Sequence, residues 1–261
     1  MLFVLSPAKS LDEAPMGRSI RATKPAFMDR AQELVSVMRE HSPQQIASLM
    51  KLSDKLASLN AVRYEAWSPQ NSARNSKPAV LMFNGDVYDG LDAKTLSDDD
   101  LSWAQERLCI LSGLYGVLRP LDALQAYRLE MGTALQNPRG KNLYQFWGSD
   151  IAEHLNQRLK KTGSQVLVNL ASEEYFKSVD LSAFHGTVAT CAFEDEKQGK
   201  FKTISFFAKR ARGMMARWAI EHRATDLEQL KHFSEQGYAY SVAASSPTKL
   251  VFRRPASALP S

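Results

Sequence analysis

Leu2-Phe3-Val4-Leu5-Ser6-Pro7-Ala8-Lys9 is an apolar run that stops on a serine and a proline and then delivers a lysine. Consecutive apolar residues without alternation read as a short strand buried on both faces, and Pro7, which cannot donate to a sheet ladder, ends it. The same layout recurs at Ala79–Phe83 before Asn84-Gly85-Asp86, at Cys109–Leu111 before Ser112-Gly113, and at Gln165–Leu170, which ends near Asn169 and Ser172. Buried strands separated by helical patterns predict a mixed α/β fold, and parallel strands of such a sheet bring their C-terminal ends to one crevice. Ser, Asn, Asp and Gly also end strands as ordinary turn chemistry. The strand ends, with Lys9 and Lys177 close by in sequence, therefore leave a shared polar site and plain turns both open.

Helices fill the intervals. Phe27, Ala31, Leu34 and Met38 recur at helical spacing, and Ser42-Pro43-Gln44-Gln45 supplies an N-cap, a proline at the first helical position and a capping-box glutamine. A further helix begins at Ser53, so residues 42–64 form a helix, a tight turn and a helix. The Ser/Asn/Pro-rich loop 67–78 is the one candidate internal boundary. Ser97 followed by Asp98, Asp99 and Asp100 marks a helix start with acids where the helix dipole favours them. Gly186–Phe193 and Phe201–Phe207 read as two strands of a hairpin around an exposed turn, 194–200.

A chain of 261 residues, 44% hydrophobic, is long enough to bury a core. Its apolar runs fall far short of the roughly 20 residues that cross a bilayer, and its first residues lack the features of a signal peptide. A cytoplasmic protein without membrane contact is expected. Cys109 and Cys191 make neither a disulfide framework nor a CxxC motif, and both read as buried thiols. The five histidines are scattered, so no dedicated metal site is predicted. Walker A and GxGxxG patterns are lacking and no cofactor is expected. The formal net charge of +5 favours anionic partners.

Residues 208–223 place Ala208, Ala211, Met214, Met215, Trp218, Ala219 and His222 in one sector of a helical wheel at about 100° per residue. Lys209, Arg210, Arg212, Arg217 and Arg223 fall outside it, with Ile220 among them. This basic face is either solvated or set against phosphate. The segment 111–132, rich in glycines and charges without a clean period, reads as an ordered buried loop. In it Arg119, Asp122, Arg128 and Glu130 either pair with one another or offer an arginine fork to a phosphate or carboxylate. Lys9, Asp86, Arg119 and Lys177 are candidate polar anchors of an enzyme that acts on a small phosphorylated or nucleotide-like ligand. The turn Leu49-Met50-Lys51-Leu52-Ser53-Asp54-Lys55 resembles a helix-hairpin-helix element, which offers helix N-terminal amides to phosphates. Lys51 and Ser53 replace its usual glycines, and a plain packed hairpin is the alternative.

The ordered blocks LSPAKS (5–10), GDVYDGL (85–91), LSGLYGVLRPLD (111–122), YRLEMG (127–132), LYQFWG (143–148), NLASEEYFKSV (169–179) and ISFFAKRARGMMARW (204–218) closely resemble the YaaA family of bacterial peroxide-stress-resistance proteins. The likeness runs from residue 2 to about residue 254. It implies a single YaaA-type domain over 1–261, with an unusual α/β fold of a central, mostly buried sheet, surrounding helices and a helix-hairpin-helix-like element over 42–64. It also implies peroxide defence through limitation of free intracellular iron, a positively charged cleft and sequence-tolerant DNA binding. Carried over by position, Lys51, Ser53 and Lys55 fall in the hairpin, and Lys9, Lys177, Lys209, Arg210 and Arg212, with Arg217 beside them, are candidates for DNA or phosphate contact. Direct iron sequestration by carboxylates is the weakest of the functional readings, and the oligomeric state is left open.

Overall fold

The run that opens the chain is strand β1 (Leu2–Leu5), buried throughout. The computed structural model describes residues 1–258 and sets β1 between two parallel neighbours in an eight-stranded sheet. Those neighbours are β2 (Leu108–Ser112) and, on the other side, β4 (Val166–Leu170). Beyond β2 lies β3 (Gly116–Leu118), antiparallel to it. Beyond β4 lies β5 (Thr187–Lys197), which pairs in parallel with β4. β5 turns back through Gln198-Gly199 into β6 (Lys200–Lys202). The edge is completed by β7 (Ala239–Tyr240) on β8 (Lys249–Arg254), and β8 runs parallel to β5. The chain leaves β1 toward β2 and later returns to β4 on the opposite side of β1. The strand order thus reverses between β1 and β4, the position where open α/β sheets leave a crevice at the strand C-termini.

The helices follow the caps written in the sequence. α1 is Met28–Arg39, and α2 (Pro43–Met50) starts on the Ser42 capping box with Gln45. α3 is Asp54–Ala66, and α6 (Asp98–Arg107) starts on a second capping box between Ser97 and Asp100. α7 (Leu143–Trp147), α8 (Asp150–Thr162) and the short α9 (Glu173–Phe176) precede the long α10 (Ser205–Glu221). α10 begins after the β5–β6 hairpin and packs across β5, β4 and β1. Its start is pinned by the buried Arg254, whose guanidinium lies between the rings of Phe207 and Tyr238 and bonds Asp195 at 2.7 Å.

Three expectations are corrected here. Ala79–Phe83 is no sheet strand: Ala79–Met82 forms the helical turn α4, and only Phe83-Asn84 is extended, pairing with Ser10-Leu11. Ala, Leu and Met are strong helix formers, and a five-residue apolar run cannot distinguish a buried strand from a buried helical turn. The hairpin is also shifted. β5 continues to Lys197 with Asp195 fully buried, and Ser205 to Phe207 already belong to α10. Finally, Ile220 is buried and His222 exposed, the reverse of their placing on the wheel. α10 packs against α5 (Asp86–Leu91) as well as the sheet, so its buried arc is wider than one apolar sector.

Candidate functional site

Three parallel strands end side by side in small polar residues. The Ser6 hydroxyl lies 3.2 Å from that of Ser172 and accepts the Ser172 amide at 2.8 Å. Tyr88 of α5 donates to the Ser6 carbonyl at 3.0 Å, and Ser112 shares a 2.6 Å hydroxyl contact with Tyr127. Burial holds Tyr88, Tyr127 and Tyr175 well above the ordinary phenol range, so all three stay protonated. These tyrosines stood unremarked in Gly-Asp-Val-Tyr, Tyr-Arg-Leu-Glu and Glu-Glu-Tyr-Phe. Each sits among polar residues, and only the sheet order shows that they converge on the floor of the crevice.

Over this floor lies the loop that follows β3. Arg128 bonds Glu130 at 2.9 Å, and Lys9 approaches the same carboxylate oxygen at 3.4 Å with its own side chain largely exposed. The other oxygen, Oε2 of Glu130, is buried without a partner. The hollow beside Lys9 and Glu130 encloses only about 10 Å³. Arg119 lies elsewhere: its guanidinium bonds the buried Asp122 at 2.9 Å, and that carboxylate also accepts from Thr23. The ion-pair alternative is therefore the one realised for Arg119, Asp122, Arg128 and Glu130.

The turn before α5 packs on the turn after β1, with Gly85 close to the Ala8 side chain. This brings Asp86 to the N-terminal half of α10, where Lys209 stands 3.9 Å from its carboxylate. Arg210 is exposed, and Arg212 is half-buried on the same side of the helix as the buried Ala208, Met215 and Ala219. Neither arginine side chain has a carboxylate partner among the described residues, and burial lowers the pKa of Arg212. Arg217 is differently employed. It donates to the carbonyls of Leu91 and Asp92 and to the Thr95 hydroxyl, and so caps the C-terminal end of α5. Lys177 is exposed and lies over the Tyr144 ring of α7 at 5.1 Å.

The α2–α3 turn presents Lys51 in the left-handed region, φ 52°, with Lys55 exposed one helical turn on. Ser53 occupies the N-cap of α3, but its side chain accepts no bond from the first turn. The geometry is a helical hairpin in which α2 carries a capping box and α3 carries no side-chain cap. Among the described residues no three His, Cys, Asp or Glu side chains gather as metal ligands, and no helix is long and apolar enough to cross a membrane.

A mixed eight-stranded sheet with surrounding helices and a crevice at its parallel strand ends defines the α/β class of this protein. The chain belongs to the family described as peroxide stress protein YaaA, whose profile matches residues 1–244. It is 58% identical over 254 residues to a UPF0246 protein of Albidiferax ferrireducens, covering 97% of this chain and 98% of the relative. A UPF0246 protein of Polaromonas naphthalenivorans is 60% identical over the same shares, and one of Ralstonia pickettii is 58% identical over 97% of this chain and 99% of its own length. Membership supports a role in the response to peroxide stress.

Proposed function

We propose that this peroxide-stress protein binds DNA without reading its sequence, through Lys209, Arg210 and Arg212 of α10, through Lys9 and Lys177, and through Lys51, Ser53 and Lys55 of the α2–α3 turn. The observation that carries the proposal is Arg212. A guanidinium taken partly out of water without a carboxylate beside it needs an anion from outside to balance its charge. The uncapped first turn of α3 adds free amides of the kind that hold phosphate. An enzyme acting on a small phosphorylated substrate has less support, because the hollow beside Lys9 is smaller than any such ligand and Arg119 is committed to Asp122.

The test is a duplex titration across salt. Wild-type affinity falls steeply between 50 and 200 mM salt, and Arg210→Ala and Arg212→Ala each lower the log–log slope by about one. Arg217→Ala leaves the slope unchanged. Binding that is absent, or insensitive to salt, overturns the proposal. Limitation of free iron is the cellular arm: chelatable iron in peroxide-treated cells, measured by electron paramagnetic resonance, is higher with Arg212→Ala than with wild type.

A further inference from the structure

Three adjoining hollows run between the loop 12–24 and the loop 67–78, well removed in sequence from α10. Two enclose about 580 Å³ each and the third about 400 Å³, and Met16 lines all three. The 67–78 wall is built rather than slack. The Gln125 side-chain amide donates to the Ser68 carbonyl and to Asn71, Asn75 donates to the Gln70 carbonyl and accepts the Ser72 amide, and Ser76 donates to the Ser72 carbonyl. The facing wall is held by Lys77, which donates to the carbonyls of Asp12 and Ala14. A segment that reads in the sequence as a boundary is one side of a preformed trough.

The charges of this trough do not balance locally. Its acids are already matched, Asp12 by Lys94 at 2.7 Å and Glu13 by Arg63. Beyond Lys77 and Lys94, which hold Asp12, its cations are not. The side chains of Arg21, Lys24 and Arg74 have neither a carboxylate nor a hydrogen-bond partner among the described residues. Arg18 reaches only Asp98, at 3.5 Å, and its Nη2 is buried without a partner. Between these cations the floor is aliphatic, with Met16, Ile20, Pro69 and Pro78, and no aromatic ring lines any of the three hollows.

We propose that this trough binds an extended acidic peptide segment of a partner protein, its carboxylates on Arg18, Arg21, Lys24 and Arg74 and its aliphatic side chains on the floor. Guanidinium forks match carboxylates in a bidentate way. Met16 and the prolines accept aliphatic groups, methionine being the adaptable member of such surfaces. Single-stranded nucleic acid is the competing occupant, and it relies on aromatic stacking platforms that this trough lacks. The site is independent of the DNA proposal and uses none of its residues.

Fluorescence anisotropy with the full chain tests it, using a labelled Glu/Leu peptide, its Gln/Leu counterpart and a labelled oligothymidylate. The Glu/Leu peptide binds at least about 10-fold more tightly than the Gln/Leu peptide, and Arg21→Glu with Arg74→Glu weakens it by about 10-fold or more. Both arginines are exposed, so thermal unfolding and duplex binding stay as in wild type. The inference is overturned if the Glu/Leu peptide does not bind at about 100 μM, if its Gln counterpart binds equally, or if the double variant binds it undiminished. Tighter binding of oligothymidylate, abolished by the same double variant, would assign the trough to nucleic acid instead.

Discussion

Gly90 and Gly213 stand where α5 and α10 touch backbone to backbone. A Cβ on Gly213 would enter the Val87 carbonyl, and one on Gly90 would enter the carbonyl of Arg210. A helical glycine costs roughly 0.5–1 kcal/mol against alanine, and here that cost permits the close approach that brings Asp86 to Lys209. Gly213→Ala is therefore expected to destabilise by about 3 kcal/mol or more, because the neighbour that must yield is main chain rather than a flexible side chain. The urea midpoint of the variant measures it. These contacts were invisible in the sequence, where Gly90 and Gly213 look like weak points in helices. The same is true of Arg217: charge alone put it with the phosphate candidates, and only the position of α5's last carbonyls shows its use.

At the scale of elements, the sequence was most legible where a local rule is sufficient. Ser42 with Gln45, and Ser97 with Asp100, fix two helix starts through bonds within four residues. Where distant neighbours decide the outcome the pattern misled, as in the helical conformation of Ala79–Met82 and the burial of Ile220. The α2–α3 turn lies between these cases. Lys51 pays about 1–2 kcal/mol for its left-handed backbone, and Lys51→Gly removes that strain while loosening the unfolded chain by about 0.5–1 kcal/mol. The variant should lie within about 1 kcal/mol of wild type, whereas Lys51→Val, branched at Cβ, should lose more than 1 kcal/mol. Thermal unfolding of both checks the sign. If Lys51 meets phosphate, the glycine variant also lowers the DNA salt slope by about one with its fold intact.

Over the whole molecule, the buried strands β1, β2 and β4 could be read from the chain but their order in the sheet could not. The reversal around β1 depends on which buried runs pair, and short apolar runs carry no pairing address. The candidate site shared that limit, since Ser6, Tyr88, Ser112, Tyr127 and Ser172 meet only after the order is set. One global consequence concerns pH. His154 on α8 packs beside the Phe27 ring at 5.3 Å. Burial first, then the charges of Arg158 and Arg119, lower its pKa from 6.5 to about 4. The folded state thus holds a neutral imidazole where the unfolded chain binds a proton, and stability present above pH 6.5 is lost as pH falls toward 4. The loss amounts to roughly 2–3 kcal/mol. His154→Phe keeps an aromatic ring against Phe27 and removes the titration. Its stability should stay nearly flat across that window while wild type declines, and urea unfolding at pH 7 and pH 4.5 distinguishes the two. A parallel decline in both proteins would show that the acid sensitivity arises at other groups.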